Sequence, residues 1–183
     1  DRIGIISYAG RAYPQLPITT DYSAAKLFLK TVNTDLIPSQ GTAIGEAIEL
    51  ASKFYDDKNQ KNRLLVIISD GEDHEEGLEQ AIESALDKNI QIYTIGLGTE
   101  TGGPIPVKGN GFTRGFKKDR NGDIVITKHN AKLLQEIASK GNGKYLLGNS
   151  TKPAVQYLFN EMAAMEKQKF EAYGRTIETL HHM

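Results

Sequence analysis

Three short, unbroken apolar runs limit what this chain can become: Ile3 to Tyr8, Leu64 to Ser69 (LLVIIS) and Ile90 to Ile95 (IQIYTI). A strand with one wet face alternates apolar and polar residues, whereas continuous β-branched runs suit strands covered on both faces, as in a parallel sheet. Helical patterns lie between them. Tyr22 to Val32 follows Asp21, a good N-cap; Ala43 to Tyr55 follows Thr42; Glu75 to Asp87 puts Leu78, Ile82 and Leu86 on one face. Strands alternating with helices predict an α/β domain with a doubly wound, mostly parallel sheet. At 183 residues the chain is long enough to bury the core of one such domain.

The remaining segments fit around that frame. Tyr13 to Pro17 comes too soon after the Ala9-Gly10 turn for a helical crossover, so it is expected to run antiparallel to the first strand at a sheet edge, where proline does least damage. Residues 99–127 read as an insertion on the sheet's rim: Thr99 to Gly115 as an irregular excursion, and Phe116 to Thr127 as a hairpin around Asn121-Gly122. Asn130 to Ser139 is helical, Gly141-Asn142-Gly143 stops it, Lys144 to Leu147 is a last strand, and a closing helix runs from Lys152 to about Tyr173. The domain is expected over 1–173, with 174–183 as a tail.

Composition removes several function classes. There is no cysteine, so thiolate nucleophiles, disulfides and Cys-based zinc sites are out. A net charge of −1 gives no global field for nucleic acid or anionic membrane. No run approaches the roughly 20 apolar residues that span a bilayer, and no signal segment opens the chain, which is therefore expected to be soluble as it stands. It also begins abruptly, with Asp1-Arg2 leading straight into an apolar run, as a piece of a longer protein would.

Two segments carry chemistry. In Val66-Ile67-Ile68-Ser69-Asp70-Gly71-Glu72-Asp73 a buried strand ends in an aspartate and a glycine turns the chain. Ligands of open α/β sheets bind at the carboxyl ends of strands, so Asp70 stands where a site belongs, and its carboxylate suits a hard cation. In Ser39-Gln40-Gly41-Thr42-Ala43-Ile44-Gly45-Glu46 a glycine-bearing loop delivers Thr42 to the start of a helix, either as a ligand or simply as an N-cap.

Taken together, a Gly-Thr loop opening a helix and, further on, an apolar strand ending Ser-Asp-Gly-Glu resemble the von Willebrand A family. Its metal-ion-dependent adhesion site combines a D-x-S-x-S motif after the first strand, a threonine from a later loop and an aspartate ending the fourth strand. Thr42 matches the second part and Asp70 the third. The resemblance implies a non-enzymatic, protein-binding domain in which Mg²⁺ keeps one coordination position for an acidic side chain of the partner. Asp1-Arg2-Ile3-Gly4-Ile5-Ile6, Leu16-Pro17-Ile18-Thr19-Thr20-Asp21-Tyr22 and Gly41-Thr42-Ala43-Ile44-Gly45-Glu46-Ala47 are similar, within that family, to the Bat proteins, a bacterial set named for aerotolerance. The similarity extends to Lys118-Asp119-Arg120-Asn121-Gly122 and Phe170-Glu171-Ala172-Tyr173. It implies a protein tied to the bacterial inner membrane with this domain in an aqueous, periplasmic compartment.

No D-x-S-x-S occurs in this chain, which opens at what should be the family's second strand, so the first strand and first helix are absent. The missing strand is the family's central one. Its absence removes one carboxylate and two hydroxyls from the metal site and leaves a gap between the strands at Ile3 and Leu64. Either those strands close up and pair about 4.8 Å apart, or a slot of twice that width remains for another segment. Mg²⁺ binding by this chain is expected to be weak or absent.

Other signals have plainer readings. Gly96-Leu97-Gly98-Thr99-Glu100-Thr101-Gly102 mimics a dinucleotide loop with the wrong spacing, and Pro104 prevents an immediate helix. Glu72, Asp73, His74, Glu75 and Glu76 read as acids at a helix N-terminus before they read as a metal cluster. His181-His182 reads as a tail, Asn149-Ser150-Thr151 as an incidental sequon, and Arg114, Lys117, Lys118 and Arg120 as a solvated basic rim or a protein contact. Two function classes compete with adhesion: a structural scaffold with a vestigial metal site, and a metal-dependent phosphohydrolase or phosphoacceptor, which also places an Asp at a strand end. The last lacks a D-x-D-x-T motif here.

Overall fold

The computed structural model describes residues 2–33, 41–55, 62–72, 77–98, 102–104, 106–109, 112–118, 121–124, 126–127, 130–148 and 151–165. The elements in chain order are β1 (Ile3–Tyr8), β2 (Ala12–Thr19), α1 (Tyr22–Thr31), α2 (Ile44–Phe54), β3 (Arg63–Ser69), α3 (Leu78–Asp87) and β4 (Ile90–Gly96). Four short strands follow, β5 (Gly103–Pro104), β6 (Pro106–Gly109), β7 (Phe112–Phe116) and β8 (Ile126–Thr127), then α4 (Ala131–Lys140) and β9 (Tyr145–Leu147). A last helix, α5, covers 151–165.

The apolar runs form strands as expected. β3, β4 and β9 make a parallel sheet in that order, in register from Arg63↔Ile90 to Ser69↔Gly96 and from Thr94↔Tyr145 to Gly96↔Leu147. The face carrying Ile67 and Ile92 packs on Ile44 and Ile48 of α2, Ala81, Ile82 and Ala85 of α3, and Leu134 and Ile137 of α4. Thr94 lies in this core without penalty because its hydroxyl donates to the Leu134 carbonyl at 2.9 Å. On the other face the Tyr93 hydroxyl donates to Glu161 of α5 at 3.1 Å.

β2 runs antiparallel to β1, as the short turn requires, with Pro14 opposite Ile6. Two register shifts, between Ile3 and Ile5 and between Ile5 and Ile6, bend the ribbon. β1 and β3 share no ladder among the described residues; β1–β2 stands as a sheet of its own. Of the two outcomes open from the sequence, the slot remains. Across it the Tyr8 hydroxyl donates to the Ile68 carbonyl at 3.1 Å, a whole tyrosine side chain spanning where paired strands would stand about 4.8 Å apart.

Some boundaries differ from expectation, for local reasons. α3 starts at Leu78 instead of Glu75, because Gly77 takes a left-handed φ of 97 at the N-cap position. α2 starts one residue later than expected, and its N-cap position is held by Ala43 with no side-chain cap, so Thr42 does not cap the helix. In the insertion, Thr99 to Gly115 is less irregular than it reads: β6 and β7 form an antiparallel hairpin, from Pro106↔Phe116 to Gly109↔Phe112. The expected hairpin at Asn121-Gly122 is reduced to one bridge, Lys118↔Ile124, with Gly122 at φ 89. α5 is described to residue 165; its expected continuation to Tyr173 and the tail 174–183 lie outside the described residues.

Candidate functional site

Asp70 leaves the carboxyl end of β3 half-buried and held from several sides. Its carbonyl accepts from Asn130 N at 2.8 Å, and its Oδ1 accepts from Glu72 N at 3.3 Å. Gly71 N donates to the Ser69 hydroxyl at 3.0 Å, while Leu97 N donates to the Ser69 carbonyl at 2.8 Å. The turn needs glycine at 71: φ is +81, and a Cβ there would stand 2.4 Å from the Asn130 carbonyl oxygen. Asn130 is also the cap of α4, its side chain accepting from Leu133 N. The aspartate is thus clipped to the start of α4.

Thr42 sits half-buried in the loop before α2. Gly41, at φ +132, lets this loop pack against the β1–β2 turn, where a Cβ would approach Gly10 Cα to 3.1 Å. Ala43 N donates to the Ala9 carbonyl at 2.6 Å. Glu46, in the first turn of α2, accepts from Ala12 N at 3.1 Å and faces Arg11 at 3.8 Å. Sequence reasoning assigned Glu46 no role, although an acid in a first helical turn beside a tight β-turn is a signal for such a tie.

Both residues therefore stand at the carboxyl end of a strand, Thr42 against the end of β1 and Asp70 at the end of β3, with the slot between their strands. The amino ends of α2 and α3 meet there as well, since a Cβ on Gly45 would lie 3.5 Å from Leu78 Cα. Mg²⁺ demands octahedral oxygen coordination. Thr42 and Asp70 offer one hydroxyl and one carboxylate, and no group of three His, Asp or Glu converges among the described residues. The donor set present does not fit the ion. Asp73, His74, Glu75, Glu76, Arg120, Asn149, Ser150 and the pair His181-His182 lie outside the described residues, whereas Arg114, Lys117 and Lys118 are exposed. The glycine loop after β4 is engaged by the sheet: Gly148 N donates to the Gly96 carbonyl at 2.8 Å.

With a parallel sheet, an antiparallel ribbon, a Gly-Thr loop before a helix and an aspartate ending a strand, the family comparison is decisive: the model of the von Willebrand factor type A domain matches residues 1–161. The chain belongs to that family. Its structure is similar to the crystal structure of BatB, a conserved hypothetical protein of Bacteroides thetaiotaomicron, at 40% identity and a TM-score of 0.84, covering 91% of this chain and 80% of that one. An aerotolerance-related membrane protein of Bacteroides fragilis, solved with multiple mutations to serines, matches at 40% identity and a TM-score of 0.82, over 90% of this chain and 80% of that one. Among curated proteins, an uncharacterized protein of Borreliella burgdorferi is 26% identical over 151 residues, 79% of this chain. The human collagen alpha-1(XXI) chain is 24% identical over 102 residues, 55% of this chain. This A domain spans 41% of the Borreliella protein's length and 10% of the collagen chain's. No helix among the described residues is long and apolar enough to cross a membrane.

Proposed function

We propose that this A domain is a non-enzymatic protein-binding module, working in a bacterial membrane-associated complex from an aqueous, periplasmic side. The reading rests on one observation above all: Thr42 and Asp70 stand at the carboxyl ends of strands β1 and β3, where an open α/β sheet receives ligands, in a chain 40% identical to BatB. In the complete domain Mg²⁺ is held there, and an acidic side chain of the partner completes its coordination. Thr42 and Asp70 by themselves offer one hydroxyl and one carboxylate, so Mg²⁺ binds weakly or not at all to this chain.

The test is capture of a partner by the complete domain in Mg²⁺ and again in EDTA. Adhesion requires capture that chelation and Asp70→Asn both abolish, with no turnover of an acyl-phosphate substrate. Hydrolysis of such a substrate, lost in Asp70→Asn, would instead support phosphoryl chemistry. The short donor set favours a second reading, a structural scaffold with a vestigial metal site, for which capture should be indifferent to EDTA.

A further inference from the structure

The insertion between β4 and α4 stands apart from the core: among the described residues, none of 102–127 is buried. It is nonetheless fastened at both ends to the strand end that carries Asp70. Leu97 N donates to the Ser69 carbonyl and Asn130 N to the Asp70 carbonyl, each at 2.8 Å. β5 and β8 close the stem, with Gly103↔Thr127 and Pro104↔Ile126. Beyond the stem, β6 and β7 pair only with each other among the described residues. A two-stranded ribbon with both faces wet is marginal in water and gains most from a further element laid on it.

Charge says what that element carries. Residues 103–127 hold five cations against two acids in a chain whose net charge is −1, so the excess of acid lies elsewhere. Arg114, Lys117 and Lys118 are exposed and form no ion pair among the described residues. Apolar side chains stand beside them, Phe116 44% and Ile124 49% exposed. Lys118 lies opposite Ile124 in a bridge and two residues after Phe116, so strand alternation puts these three on one face and turns Lys117 and Asp123 to the other. Arg114 is the extra residue of the β6–β7 register shift, between Thr113 opposite Lys108 and Gly115 opposite Val107; a bulge there re-aims its side chain beside Phe116.

We propose that this face docks an extended acidic segment of a partner protein, one in which an apolar residue has an acid two positions to either side. The apolar side chain covers Phe116 and Ile124, one acid meets Lys118 and the other Arg114. Anionic lipid offers the same charge in a plane, which suits the face less well. Phe116 lies at the root of the ribbon, opposite Pro106, whereas a bilayer would first meet the far end, Gly109↔Phe112. The inference goes beyond the metal site and uses neither Thr42 nor Asp70.

The probe is a synthetic peptide reading threonine, glutamate, threonine, leucine, threonine, glutamate, threonine, capped at both ends. It is titrated into the 183-residue chain and followed by amide chemical shifts. Saturable shifts are expected at Phe116, Lys118 and Ile124, unchanged by EDTA or by Asp70→Asn. Binding should weaken about two- to fivefold in Lys118→Ala and less than about twofold in Lys117→Ala, on the reverse face. Phe116→Ser should weaken it about tenfold; if that variant disturbs the free ribbon's own shifts, the two lysine variants decide. A peptide of the same composition with its glutamates adjacent should bind at least about fivefold more weakly. Equal binding of the two peptides, or equal loss in Lys117→Ala and Lys118→Ala, would reduce the surface to diffuse charge and overturn the proposal. So would no saturable binding at millimolar peptide, loss of binding in Asp70→Asn, or the same shifts from phosphatidylglycerol vesicles and none from the peptide. Shifts at these residues that follow protein concentration without peptide would give the face to a second copy and overturn it as well.

Discussion

Single residues fix where the candidate site lies, and Gly71 does so more than any other. Its φ of +81 and the 2.4 Å that would separate a Cβ from the Asn130 carbonyl leave no room for alanine. Gly71→Ala should cost about 1–3 kcal/mol and lower the melting temperature by several degrees while Asp70→Asn leaves it nearly unchanged; paired thermal melts check both. Tyr93 reports the packing of α5. Burial first, then its bond to Glu161, pushes the Tyr93 hydroxyl up to about 12. A raised folded value contributes stability below the ordinary value near 10 and loses it as pH rises through about 12. The chain should therefore lose stability between about pH 10 and 12 by an increment that Tyr93→Phe lacks, read as melting temperature against pH for the two proteins. Asp70 was legible because a buried strand, an acid and a glycine must produce a strand-end carboxylate. Thr42 was legible as a loop position, but its local choice between cap and ligand was not: the N-cap falls on Ala43, which depends on how Gly41 packs against Gly10.

Elements follow the sequence where local signals agree and depart where a single backbone conformation intervenes. α1 begins where expected because Asp21 accepts from both Ser23 N and Ala24 N at 2.9 Å. Only Ala25 of that helix is buried, so packing adds little to the cap. Asp21→Ala should cost about 1 kcal/mol and speed amide exchange throughout α1; exchange confined to the first turn would contradict this dependence. α3 shows the opposite case: the helix expected from Glu75 is described from Leu78, with a left-handed Gly77 at its N-cap position. The β6–β7 hairpin went unread although Asn110-Gly111 stands between its strands in the sequence, because two prolines and several glycines nearby masked the pattern. Asn121-Gly122, the stronger-looking signal, has only a one-bridge hairpin around it.

At the scale of the whole molecule, α2 joins the β1–β2 ribbon to the β3–β4–β9 sheet, two of the four sheets among the described residues. That helix packs on the β3–β4 core through Ile44 and Ile48 and is tied to the β1–β2 ribbon through Glu46 and Ala43. Ile48→Ala, at a fully buried position, should cost about 2–5 kcal/mol, and because one helix serves both sheets it should unfold them together in a single denaturant transition. The sheet order and the gap were legible only through the family resemblance; apolar runs say that strands are covered, not which edges meet. The division of the sheet puts the candidate residues Thr42 and Asp70 near the ends of strands that share no ladder among the described residues. Calorimetric titration of the 183-residue chain with Mg²⁺ tests this most directly. The account requires no binding tighter than about 1 mM. Micromolar binding that Asp70→Asn removes would contradict it, for the site would then be complete without a strand between β1 and β3.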